Sequence, residues 1–158
     1  MTDLVLFHNG KIAGSLAPRE TKYLQMLIGK RLKPESIQMN KQNYVVLRYR
    51  TVKKVTDNGI KIDMRVHVEI DEVPSDSPTP PMRLGKLESE IADTLQEDMR
   101  KLIRKLQKLK SDPVGFGEKY RLAQGGHLDA DEWTDSIFPE LPVRVKVTVM
   151  IERTGMLN

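Results

Sequence analysis

Apolar residues recur along this chain with two different periods. From Lys86 to Lys110, the residues Leu87, Ile91, Leu95, Met99, Leu102, Leu106 and Leu109 step by threes and fours. That spacing lines up one stripe of an α-helix. Neither Gly nor Pro interrupts the stretch, and at 1.5 Å per residue the helix is roughly 35–40 Å long. Its acids come early (Glu88, Glu90, Asp93, Glu97, Asp98) and its bases late (Arg100, Lys101, Arg104, Lys105, Lys108, Lys110), an order that suits the helix dipole. Glu97 and Lys101 have the favourable i,i+4 order for an ion pair. Ile103 beside Leu102 widens the stripe beyond a coiled-coil seam. The bases gather at one end rather than along one face, unlike a helix lying on a membrane. The stretch is therefore predicted to pack on the chain's own β-sheet.

The second period is two. Ile60, Ile62, Met64, Val66, Val68 and Ile70 alternate with Lys61, Asp63, Arg65, His67 and Glu69. One face of this strand, predicted to run to Val73, is dry and the other wet, as in an antiparallel sheet covered on one side. Tyr44–Val55 is a second long strand, joined to the first by the turn Thr56-Asp57-Asn58-Gly59. Val143, Val145, Val147, Val149 and Ile151 alternate just as cleanly. Near the start, Leu4–Phe7 and Lys11–Leu16 flank His8-Asn9-Gly10. Asn-Gly is a strong hairpin signal because both turn positions need positive φ. Pro18-Arg19-Glu20 opens a helix with the apolar face Tyr23, Leu24, Leu27, Ile28, and Gly29 ends it.

Breaks in these periods mark the connections. Pro74–Pro81 (PSDSPTPP) reads as an internal linker within one domain spanning 1–158. Ser111 or Asp112 can cap, and Pro113 can open, a shorter helix. A third short helix begins at HLDADEW, where Asp129 and Glu132 have capping-box spacing, and Ile137-Phe138-Pro139 ends it. The predicted class is α+β: a mostly antiparallel sheet covered on one face by one long helix and several shorter ones.

Composition narrows the chemistry. With 158 residues the chain can bury a substantial core. No run of eighteen apolar residues is present, so no membrane span is expected. MTDLVLFHNG has no basic n-region and does not read as a signal peptide. Zero cysteines exclude disulfides, zinc-thiolate sites and a cysteine nucleophile. They also exclude a lipid-anchoring cysteine, so the chain by itself is expected to be soluble. The net charge of +4, with both signs mixed, reads first as solvated surface.

Motifs for catalysis are missing: there is no G-x-S-x-G, H-E-x-x-H or Walker sequence. Gly115-Phe116-Gly117 lacks the third glycine of a dinucleotide fingerprint and follows a helix, so it reads as close packing around Phe116. His127, Asp129, Asp131 and Glu132 are crowded, but the EF-hand pattern is absent and helix capping explains the carboxylates. His8 sits in a turn and His67 on a wet strand face. Neither has a Ser or carboxylate partner at a recognisable spacing. No catalytic, cofactor or metal residue is assigned, and no small-molecule substrate is identified. The basic run Arg48, Tyr49, Arg50, Lys53, Lys54 supports an alternative, a module binding nucleic acid or an anionic surface. Against nucleic acid stand an aromatic content of 5% and the acids Glu69, Asp71 and Glu72, expected to pair across the hairpin.

The order of residues after the long helix resembles a family signature. Leu102-Ile103-Arg104-Lys105-Leu106-Gln107, then Ser111-Asp112, then Gly115-Phe116-Gly117-Glu118, resembles the Ger(x)C spore germination proteins. So do Trp133, Ile137-Phe138-Pro139, the strand VRVKVTVMI, the closing Arg153-Thr154-Gly155 and the short helix Thr21–Gly29. The likeness is to the C-terminal domain and covers nearly the whole chain. It implies structural roles for Gln107, Asp112, Gly115, Phe116, Gly117, Trp133, Phe138 and Pro139. It implies a non-catalytic interaction or scaffold domain in a subunit of a nutrient germinant receptor. The partners it implies are integral membrane subunits, and the place the outer face of the spore inner membrane. The expected interface is the basic end of the long helix: Arg100, Lys101, Arg104, Lys105 and Lys108.

Overall fold

A computed structural model describes residues 3–29, 34–39, 42–70 and 81–152. The predicted hairpin forms as β1 (Leu4–His8) and β2 (Lys11–Leu16). Asn9 (φ 52°) and Gly10 (φ 74°) both take the left-handed conformation that a tight hairpin turn requires. Helix α1 (Pro18–Ile28) follows and ends at Gly29, φ 88°. Glu20 closes its first turn by accepting from the Ala17 amide at 3.0 Å.

The main sheet has four strands in the order β3 (Glu35–Met39), β4 (Gln42–Thr56), β5 (Gly59–Ile70), β6 (Val143–Ile151). The first three run antiparallel, and β6 lies parallel to β5. A parallel neighbour needs a long crossover, and helix α2 (Pro81–Lys108) supplies it. The apolar period predicts a start at Lys86; the helix begins at Pro81, the last residue of the expected linker, whose other residues lie outside those described. Asp71, Glu72, Val73 and Arg153-Thr154-Gly155 also lie outside them.

One contiguous core joins the elements. Ile91, Leu95, Met99, Leu102, Ile103 and Leu106 of α2 are buried together with the inward residues of β5 and β6. α2 packs on β6, and α1 packs on α2 and β4. The predicted Glu97–Lys101 pair does not form. Glu97 sits nearer Arg100 (3.7 Å) and Arg104 (3.5 Å). α1 and α2 are joined by Tyr23, whose hydroxyl donates to Asp98 at 2.8 Å and accepts from Arg19 Nε at 3.0 Å.

β4 does not alternate simply. Its pairing with β5 steps from Val46–Val68 to Arg48–His67, leaving Leu47 as an extra residue. Such a bulge exchanges the faces of everything beyond it. Tyr44 and Val46 face the core before it, and Tyr49, Thr51, Lys53 and Val55 do so after it. Arg48, Arg50, Val52 and Lys54 are thereby turned to the opposite, uncovered face. On the free edge of β6, the Val147 amide donates to Gln96 Oε1 at 3.2 Å and the Ile151 amide to Glu88 Oε2 at 2.8 Å. Two side chains of α2 thus occupy donors that would otherwise invite another strand.

Candidate interaction surfaces

The motif residues converge where α2 ends. Lys110 takes φ 54° and the Ser111 amide reaches back to the Leu106 carbonyl at 3.1 Å. This helix-ending turn carries Asp112 beneath the next segment. Asp112 Oδ1 accepts from the amides of Gly115 and Phe116, both at 3.0 Å. Its Oδ2 accepts from the Gly117 amide at 2.7 Å and Trp133 Nε1 at 3.0 Å. Burial pushes this carboxyl up, against the four donors, which pull it down without cancelling the effect. The four groups bonded to it are all N–H donors, which a carboxylate's two oxygens can accept in full.

Asp112 does cap, but Pro113 does not open the helix. Helix α3 (Phe116–Ala123) starts three residues later, behind Gly115 at φ 86°. The next helix also differs from expectation. After Ala130–Glu132 the chain widens into a π-helical turn, Trp133–Ile137, then a 3-10 turn, Phe138–Glu140. In an α-helix, positions i and i+5 lie about 140° apart. The i→i+5 bond from the Phe138 amide to the Trp133 carbonyl brings them to one side. Their rings stack at 5.4 Å, and Phe116 meets Phe138 at 6.1 Å. Gln107 Nε2 locks this segment by donating to the carbonyls of Phe138 (2.9 Å) and Leu141 (2.7 Å). Pro139 lies within the 3-10 turn.

The HLDADEW carboxylates do not cap as expected. Asp129 stands at the helix start but its side chain makes no capping bond. No group of three or more metal-ligating side chains occurs among the described residues. The two other histidines do find carboxylates, from distant segments: His8 Nε2 lies 2.9 Å from Asp135 and His67 Nδ1 lies 2.9 Å from Glu152. Only tertiary structure brings those pairs together.

The expected interface residues on α2 are not equivalent. Lys105 donates to Glu20 at 3.0 and 3.2 Å, bracing α1. Arg100 and Arg104 lie against Glu97. Lys101 and Lys108 are exposed, with no ion pair among the described residues.

The uncovered face of the sheet holds Arg48, Arg50 and Lys54 of the basic run, together with cations of β5 and β6 that the sequence does not group with them. The register does not set Glu69 opposite the basic run, and Asp71 and Glu72, the other acids expected to pair with it, lie outside the described residues. Arg50 stands opposite Arg65, and Lys54 opposite Lys61, which stands beside Arg144 on β6. Glu69 stands opposite Val45. Lys53, expected within the basic run, points the other way. Its ammonium caps α1 by donating to the Leu27 (2.8 Å) and Ile28 (3.1 Å) carbonyls, and burial pushes its pKa down. Arg48 is tied to Glu152 and holds that carboxyl below its usual range. At this end an open groove of about 880 Å³ is lined in part by Arg48, Arg50, Arg65 and His67.

No helix among the described residues is long and apolar enough to cross a membrane. The GerBC protein, known from a crystal structure, superimposes with a TM-score of 0.68 over 91% of this chain and 48% of its own length, at 19% identity. Spore germination protein KC of Bacillus subtilis (strain 168) is 32% identical over 80 residues, which span 49% of this chain and 20% of that protein. The chain therefore spans less than half the length of the proteins it matches. A family model, Spore germination B3/GerAC like, C-terminal, matches residues 2–155. This chain belongs to that spore germination family, the Ger(x)C family whose motif order it resembles.

Proposed function

We propose that the chain is a non-catalytic interaction domain of a germinant-receptor subunit, acting in spore germination by contact with other subunits at the spore inner membrane. The observation that carries this reading is the use made of the motif residues. Asp112, Gln107 and Trp133 spend their polar atoms on main-chain and side-chain partners inside the fold. Gly115, Phe116, Gly117 and Phe138 shape the space around them. What the family motif specifies is thus a rigid end to α2, and α2 displays Lys101 and Lys108 to solvent beside Arg100 and Arg104. That exposed basic end is the surface offered to integral membrane subunits.

The test is to place Lys101→Glu and Lys108→Glu in the intact subunit. Receptor assembly and germination should fall. The melting curve should move little, since exposed charge changes seldom exceed about 0.5 kcal/mol. Substitutions at His127, Asp129 and Asp131 should leave germination unchanged. Loss of germination in those three, with normal folding and receptor levels, would overturn the contact-only reading.

A further inference from the structure

Resting on the reading above that the chain works in a receptor at a membrane, we propose that the uncovered sheet face docks on the anionic phospholipid surface. Like charges placed directly opposite each other on neighbouring strands destabilise a sheet, yet this face does it twice. Lys54, Lys61 and Arg144 form one row across three strands, and Arg50 and Arg65 form another. Lys146 lies between the rows, beside Asp63. Among the described residues, Arg50, Lys54, Arg65, Arg144 and Lys146 have no ion pair. Asp63, 4.0 Å from Lys61, is the one acid set among these rows; such a break with local rules, compensated only at that point, marks a surface shaped by something outside the fold.

The geometry favours a flat, diffuse anion. Four residues along a strand and two strand spacings make a patch of about 13 by 10 Å. That is comparable to the screening length of about 8–10 Å at physiological salt, so the cations act together. Large protein interfaces are centred on buried aromatic or aliphatic anchors. Single-stranded nucleic acid needs rings to stack on. The outward positions of β4, β5 and β6 carry no Phe, Tyr or Trp, and the one imidazole, His67, is held by Glu152; Val52 and Met150 are their exposed large apolar side chains. A plane of lipid phosphates matches this charge and shape.

The experiment is cosedimentation of the whole chain with large unilamellar vesicles, either phosphatidylcholine alone or phosphatidylcholine mixed with phosphatidylglycerol. Each cation near an anionic leaflet strengthens partitioning about fivefold. The chain should bind the phosphatidylglycerol vesicles only and should be released at about 1 M salt, where the screening length falls to about 3 Å. The triple variant Lys54→Gln, Lys61→Gln, Arg144→Gln should bind about a hundredfold more weakly. Its melting temperature should be unchanged or raised, because like-charge rows are removed. The single variant Arg144→Gln should lose about fivefold and serves if the triple variant fails to fold. The control is the double variant Lys101→Gln, Lys108→Gln on α2, which should bind as the parent does. Three results would overturn the proposal: no preference for phosphatidylglycerol, an equal loss per charge in the α2 variant, or tighter binding to a short DNA duplex than to the vesicles at the same salt. Vesicle binding and receptor assembly are separate readouts, so failure of one reading is distinguishable from failure of the other.

Discussion

Asp112→Asn changes almost no volume and should nevertheless be among the most damaging substitutions in the chain. Four N–H groups converge on the carboxylate: the amides of Gly115, Phe116 and Gly117, and Trp133 Nε1. An asparagine has one acceptor oxygen and one donor NH2. Whichever way it turns, one pair of donors keeps an acceptor and the other pair faces an NH2. Hydrogen bonds to a charged group contribute roughly 1.5–3 kcal/mol each, and stranded buried donors add their own desolvation penalty. Part of that penalty is relieved by water at the exposed Gly115. A loss of about 3–4 kcal/mol follows, a large share of the roughly 5–15 kcal/mol that holds a domain folded. Urea unfolding, followed by Trp133 emission and by far-ultraviolet circular dichroism, should show the midpoint falling by about 1–2 M at ordinary m-values. Asp112→Ala should cost a similar amount. An asparagine variant within about 1 kcal/mol of the parent would refute the reasoning, because shape rather than acceptor count would then be holding the segment.

Three further outcomes are expected. Gly117→Ala places a Cβ about 2.7 Å from Trp133 Nε1; the indole is held by Phe138 and Asp112, so thermal melting should show a loss of about 1–3 kcal/mol. Burial, helped by the bond to Asp98 and opposed by Arg19, pushes the Tyr23 hydroxyl up to about 12 from 10.0. Its folded pKa lies above its unfolded one, so its stabilising effect is complete below pH 10 and is lost as pH rises from 10 towards 12; urea midpoints across that window should fall, and less so in Tyr23→Phe. Asp129→Ala should stay within about 0.5 kcal/mol of the parent in the same assay, because the side chain makes no capping bond; a loss of 1 kcal/mol or more would show that it caps in solution.

The elements legible in the sequence are those whose signal is local. Asn9-Gly10 announces the hairpin, and the three–four spacing from Leu87 to Leu109 announces α2. β3 escapes such reading because it offers only Ile37 and Met39 as buried apolar residues, too few to show a period. The α+β class follows from the strands, but the parallel placement of β6 does not, since a strand's alternation is the same in either direction. The uncovered basic face is hidden by one residue. Reading β4 without the bulge at Leu47 carries the inward parity of Tyr44 and Val46 on to Arg48, Arg50 and Lys54, whereas the folded register turns them outward. The π-helical turn is equally unreadable, because it serves to align Trp133 with Phe138, a tertiary requirement. The motif order is legible as a resemblance, but the bonds its residues make in this chain are not, since Gln107 reaches the carbonyls of Phe138 and Leu141 and Asp112 accepts from Trp133 across intervening segments.

The parallel pairing of β5 with β6 sets a schedule for the growing chain. Residues 71–142 separate the two strands. At about 5–20 residues per second, ribosomal synthesis leaves roughly 4–14 s between completion of β5 and appearance of β6. During that time β5 carries an open edge rich in valine and isoleucine, a template on which another nascent chain can pair. Closing the long crossover also costs about 2.5 kcal/mol more than closing the β4–β5 turn. How quickly α2 forms and delivers β6 therefore governs how much chain reaches the native state. Substitutions that weaken α2 at exposed positions should lower the yield of folded protein before they lower the stability of what has folded.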